Sequence, residues 1–258
     1  DNLPWLEFRR VLFRSGETGA GKSTLINLIT RLYDVQGGEI AIDGIDIRTM
    51  RKADLNALVA IVSQNVFLFS DTIYQNILFG RPNASEAEVH EAAALARAAL
   101  FVEKLPEKYN TKLGEQGSGL SGGQRQLIAY ARMILARPKI AILDEATSNI
   151  DSYTENLIQK NMEEIFNDTT VIIIAHRFAT LQKVDRIVVL KNGRIQAIGT
   201  HQELLENNPY YRELCEKQYS KLWKKGVNNS ISRYHLVSGF HRVIQRSKYM
   251  DRQKQANS

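Results

Sequence analysis

The stretch Gly16-Glu17-Thr18-Gly19-Ala20-Gly21-Lys22-Ser23 constrains this chain more than any other, because it fixes a local fold and a ligand class together. A glycine-rich turn of this form aims successive backbone N–H groups inward. It then hands bound phosphate to the N-terminus of the next helix, where the helix dipole favours negative charge. The pattern arises by chance in about one chain in a hundred of this size. Its surroundings therefore decide how it is read.

From residue 16 onward, strand-like apolar runs alternate with amphipathic helices, the pattern of an α/β domain built on a largely parallel sheet. A helix is predicted over 22–32, with Leu25, Ile26, Leu28, Ile29 and Leu32 as its apolar face, and Gly37-Gly38 breaks it. Short strands at 39–42 and 45–47 flank Asp43-Gly44, which favours a two-residue hairpin turn. Further strands are predicted at 58–62, 140–143, 170–175 and 186–190, and Asn192-Gly193 turns the last back into 194–198. Helices are predicted at 122–136 and 153–166, from His201, and around 210–219. Between 72 and about 116 the strand signal disappears. There Ser85-Glu86-Ala87-Glu88 reads as a capping box opening an alanine-rich helix, so 72–137 is expected to be an inserted helical subdomain.

With 258 residues, 43% of them apolar, the chain has ample material for a packed core. Cys215 is the single cysteine, which excludes an intramolecular disulfide, and the scattered histidines form no zinc-site spacing. No apolar run approaches the 18 or more residues of a membrane-spanning helix. The net charge of +6 is uneven: residues 217–258 hold ten basic side chains against Asp251 alone. The segment 221–258 is expected to be a flexible basic tail, and charge runs of this kind are usually solvated. Residues 1–15 end in Val11-Leu12-Phe13-Arg14-Ser15, with an arginine where a buried parallel strand calls for apolar residues, and read as a non-native lead-in.

The chemistry follows from residue type and place. Residues 16–23 form the cradle, with Gly16, Glu17, Thr18, Gly19, Ala20 and Gly21 offering backbone and Lys22 reaching the β- and γ-phosphates. The Ser23 hydroxyl suits Mg²⁺, a hard cation that prefers oxygen, and Thr24 adds an α-phosphate contact. Asp144 ends an apolar strand at the sheet edge where α/β folds gather ligands, and would hold the metal through water. Glu145 is then placed as general base for the water that attacks the γ-phosphate. Gln64, just past another strand, can touch both metal and water, and His176, after a third, can sense the γ-phosphate. Leu120-Ser121-Gly122-Gly123-Gln124 opens a second helix and offers a second surface for phosphate.

These motifs resemble, over about 16–219, the nucleotide-binding domain of an ATP-binding cassette (ABC) transporter. They are similar to its Walker A loop, Q-loop (Gln64), signature (residues 120–124), Walker B strand, D-loop (Ser148-Asn149-Ile150-Asp151) and switch histidine. The runs 66–73, 113–117 and 199–204 resemble the exporter branch, although Ser63 stands where exporters usually carry proline.

The resemblance implies a P-loop NTPase core with an antiparallel β part, and ATP and Mg²⁺ as ligands. It implies a head-to-tail pair with a second such domain, in which Ser121, Gly122 and Gly123 act in trans on the γ-phosphate. It also implies docking of a transmembrane domain's coupling helix near Gln64 and 67–69, and a place at the cytoplasmic face of the inner membrane. The upstream aromatic on which the family stacks adenine is not matched, and Trp5 is no replacement. The alternatives are a truncated, non-functional fragment and an ABC ATPase acting on nucleic acid. The second lacks its usual marks here, long heptad helices or paired cassettes, which argues against a nucleic-acid partner.

Overall fold

The computed structural model describes residues 10–15, 21–144, 169–174 and 184–224. Two compact units divide the chain: the first takes residues up to 13 and 21–176, the second 14–20 and 177 onward. In chain order the first contains β1 (Arg10–Ser15) as far as Phe13, α1 (Lys22–Ile29), β2 (Ala41–Ile42), β3 (Ile45–Asp46), α2 (Lys52–Leu58) and β4 (Val59–Val62). It continues with α3 (Ile73–Leu78), α4 (Glu86–Leu95), α5 (Ala99–Val102), α6 (Gly122–Ala136), β5 (Ile140–Asp144) and β6 (Thr170–Ile174).

Strands β4, β5, β6 and β1 lie side by side and parallel, with Val62 opposite Leu143, Asp144 opposite Ile174, and Phe13 opposite Ile174. Side chains alternate between the two faces, as the pleat requires. Ala60, Val62, Ala141, Leu143, Val171 and Ile173 join the cluster built around α3, α4 and α6. Val59, Ile140, Ile142, Ile172 and Ile174 pack with Ile26 and Ile29 of α1. Both faces are covered, which is why these strands read as unbroken apolar runs. The segment 10–15, read from sequence as an unsuitable lead-in, forms a strand in register with β6.

Between β4 and β5 the named elements are helices. Helix α6 spans the predicted residues, and the Ser85–Glu88 capping box is present, each partner bonding the other's backbone. Glu88 also accepts from the Arg81 guanidinium, and together these bonds lower its pKa to about 2.

Two expectations shift. Helix α1 stops at Ile29, short of Leu32, because the Thr30 hydroxyl donates to the Ile26 carbonyl and Arg31 turns left-handed at φ 52. Arg31 then bonds the carbonyls of Ile47 and Met50, and Leu32 is exposed. Leu58 ends a helix, α2, that the periodicity did not announce, and β4 starts one residue later. Strand β6 is described as far as Ile174, and Ala175 lies outside the described residues. The predicted helix 153–166 lies outside the described residues.

The second unit is an antiparallel hairpin followed by two helices. Strands β7 (Arg186–Lys191) and β8 (Arg194–Gly199) meet at Asn192-Gly193, both at positive φ as a tight hairpin turn demands. Thr200 caps the helix His201–Asn207 in a box with Glu203, and helix Pro209–Lys224 runs longer than predicted. Tyr211 is buried and its hydroxyl lies 2.8 Å from His201 Nδ1. No described helix is long and apolar enough to cross a membrane.

Two outcomes test this packing. A Cβ at Gly80 would sit 2.1 Å from the Arg132 carbonyl oxygen, so Gly80→Ala forces α3 and α6 apart and should destabilise the domain by about 1–3 kcal/mol in urea denaturation. Because the folded-state pKa of Glu88 is depressed, its contribution is present above the ordinary carboxylate range and is lost as pH falls toward 2. Thermal melts from pH 6 to pH 2 should therefore show a steeper decline for the parent than for Glu88→Gln.

Candidate functional site

The parallel register puts the ends of four strands at one edge, and that edge collects the chemistry. Asp144 is the last residue of β5, half-buried and opposite Ile174. Gln64 follows the neighbouring β4 by two residues and is exposed. The strands preceding Glu145 and His176 end at this edge too; those two residues, with Asp151 and Gly16, Glu17, Thr18, Gly19 and Ala20, lie outside the described residues.

Gly21 caps α1 at φ 98, in the left-handed region where any other residue is strained. No side chain caps this helix and no acid stands in its first turn, so its N-terminal N–H groups and positive dipole end suit an anion. Lys22 is half-buried, and Ser23 and Thr24, in the first turn, are exposed.

The second helix N-terminus is built differently. Leu120 is 9% exposed and anchors the signature in the core. Ser121 Oγ accepts from the Gln124 N–H at 3.2 Å, and Gln124 Oε1 accepts from the Ser121 N–H at 2.9 Å. Sequence reasoning gave residues 120–124 a phosphate role and missed this reciprocal cap, although Ser-x-x-Gln before an apolar helix announces one. Gly122 and Gly123 occupy the first helical positions with no acid nearby in the turn. Ser121 is exposed.

Gln64 meets this helix within the same unit. A cleft of about 480 Å³ is lined by Gln64, Glu115, Ser118, Gly122, Arg125 and Gln126, among others. Gln126 is 1% exposed, and neither of its amide atoms has a hydrogen-bond partner. Leaving such a group unpaired costs about 1–3 kcal/mol. No local pattern marks it beyond a polar residue on the buried side of α6.

Beyond Gln64 the chain exposes Phe67, Phe69 and Phe79. Phe69 packs edge-on against Phe67 and tilted against Phe79, with centroids 5.3 and 4.7 Å apart. Arg132 of α6 lies within 5.6 Å of the Phe69 and Phe79 centroids, and burial lowers its pKa to about 10, which leaves it charged at neutral pH.

Residues 9–148 match the family described as ABC transporter. The chain belongs to that family. It is 48% identical over 206 residues to the ABC transporter ATP-binding protein YfiC of Bacillus subtilis, covering 80% of this chain and 34% of YfiC. It is equally identical over 209 residues to the heterocyst differentiation ATP-binding protein HepA of Nostoc, covering 81% and 33%. A solved bacterial Atm1-family ABC exporter with ATP bound superposes with a TM-score of 0.78 at 43% identity, over 81% of this chain and 36% of that one. The chain thus spans about a third of the length of these relatives. It is an ABC-type ATPase domain, and membership of the family implies ATP and Mg²⁺.

The residues present fit both. An acid-free helix start capped by glycine suits polyphosphate, and Ser23, Gln64 and Asp144 carry the hard oxygen donors, hydroxyl, amide and carboxylate, that Mg²⁺ prefers. Gly21→Ala should cost about 1–2 kcal/mol of local strain, and titration with a fluorescent ATP analogue should show roughly tenfold weaker binding by the same figure.

Proposed function

We propose that this domain hydrolyses ATP as one half of a head-to-tail pair and thereby powers export of a substrate through a partner transmembrane domain. The observation that carries the reading is that two helix starts on one chain are both glycine-bearing and free of acid in the first turn. One is opened by Gly21 and one by the exposed, self-capped Ser121. A phosphate chain bound at the first leaves its γ end for donors that the second start supplies from the facing molecule, a second copy or a related domain.

Each residue has a task in that scheme. Lys22 neutralises the β- and γ-phosphates, and Ser23, Gln64 and Asp144 hold Mg²⁺, which supplies charge stabilisation to the transferring phosphoryl group. Glu145 takes the proton of the attacking water and His176 bonds the γ-phosphate. Gly122 and Gly123 offer backbone N–H groups to it from the partner, with the dipole of α6 behind them. Asp151 belongs to the D-loop motif Ser148-Asn149-Ile150-Asp151. The exposed ring cluster of Phe67, Phe69 and Phe79 supports docking of the coupling helix of a transmembrane domain, which would hold the chain at the cytoplasmic face of the inner membrane.

Glu145→Gln tests the assignment of the base. Steady-state hydrolysis should fall by at least about 100-fold while ATP binding is retained, the loss expected when a positioned base is removed. A variant as fast as its parent removes Glu145 from the mechanism.

A further inference from the structure

Three connected observations single out Arg132. It sits on α6, eleven residues after Ser121. Its guanidinium reaches back to a segment that sequence separates from it by more than fifty residues: Nε donates to the Asn76 carbonyl at 2.8 Å, one terminal nitrogen donates to Asn76 Oδ1 at 3.0 Å, and the other donates to the Phe67 carbonyl at 3.2 Å. Asn76 is fully buried and clamps the same segment from within. Its Oδ1 accepts from the Phe69 N–H at 2.9 Å, and its Nδ2 donates to the carbonyls of Phe69 and Thr72, each at 3.0 Å. The aromatic rings of Phe69 and Phe79 flank the guanidinium, and Gly80 lets the backbone of α3 close on the Arg132 carbonyl.

The signature is held to the same segment at its own end. Gly117 is wedged where a Cβ would come within 3.0 Å of both Leu68 and Arg125, and Arg125 in turn donates to the Leu120 carbonyl at 2.8 Å. Helix α6 between these two ties is buried from Gln126 to Ala131, so it behaves as a rod about 16 Å long from Ser121 to Arg132 at 1.5 Å per residue.

We propose that Arg132 is a positioning residue for hydrolysis: through Asn76 and the Phe67 carbonyl it fixes the signature helix to segment 67–69, so that the signature turn moves as that segment moves. This rests on the function proposed above, in which the signature acts on a partner's ATP and 67–69 is the docked surface. A planar five-donor fork is needed, since Arg132 makes three hydrogen bonds in different directions while lying between two rings. Lysine keeps the charge and cannot keep that geometry.

The test compares the parent chain with Arg132→Lys in ATP hydrolysis and in backbone hydrogen exchange. The Walker A residues are untouched, so the ATP concentration for half-maximal rate should stay within about twofold, while kcat falls about tenfold, the signature of an interaction used in the transition state. Exchange should rise about tenfold at 67–71 and, in parallel, at 120–125. A faster exchange confined to 67–71, with 120–125 unchanged, overturns the proposal whether or not the chain hydrolyses ATP. So does a kcat per folded molecule within twofold of the parent. If the parent shows no hydrolysis, the role in hydrolysis falls with the transport reading, while a parallel rise in exchange at both segments of Arg132→Lys still shows that the clamp ties the signature helix to 67–69. If Arg132→Lys does not fold, Phe79→Leu removes one exposed ring and leaves every hydrogen bond. Its exchange should rise at both segments together, and a rise at one alone again contradicts the proposal.

Discussion

The in-register parallel pairing of β4, β5, β6 and β1 is the constraint from which the rest follows. Because their C-terminal ends align, residues far apart in sequence leave the sheet at one edge, Gln64 after β4 and Asp144 at the end of β5. The pairing is stable only because both faces are covered, by α1 on one side and by α6 with the helical subdomain on the other. The helix that covers the second face is the one the signature opens. Core packing and signature placement are therefore one arrangement, and Leu120 and Ser121 sit on either side of the boundary between them.

The signature itself serves two ends. As a capping box it satisfies the start of α6 without a ligand, so the helix does not depend on nucleotide for its N-terminal bonds. That leaves the backbone of Gly122 and Gly123, at the first helical positions, with no acid in the turn to compete for them. The start of α1 has no such internal cap and relies on Gly21 in a conformation that only glycine adopts without strain.

Much of this was legible in the sequence, for reasons that differ by element. Helix α6 was readable to the residue because a polar, glycine-rich turn opens it and a long apolar period runs on to Ala136. The hairpins at Asp43-Gly44 and Asn192-Gly193 were readable because positive φ has few tenants. Helix α2 was not, since seven residues carry less than two turns of period and its one buried anchor is Leu55. A strand at 10–15 was not read from sequence because Arg14 interrupts its apolar run, and the residues that pair with β6 are Arg10, Val11, Leu12 and Phe13. The Arg132–Asn76 clamp and the unpaired Gln126 were invisible for a different reason: each depends on a tertiary neighbour that no local pattern encodes. For the site, motif spacing proposed the residues, while the structure showed that Gln64 faces the signature helix and that Gln124 is spent on its own cap.

The central claim is that one active centre draws on two chains, the Walker A loop of one and the signature of the other. Mixing Lys22→Met chains with Gly122→Asp chains tests it most directly. Each variant alone is expected to be inactive, but a mixed pair joins an intact Lys22 to an intact signature at one of its two sites. Random pairing should restore about a quarter of the parent's hydrolysis rate, as the statistics of a two-fold assembly require. A mixture that stays as inactive as its two components would contradict the shared site and return both motifs to a single chain.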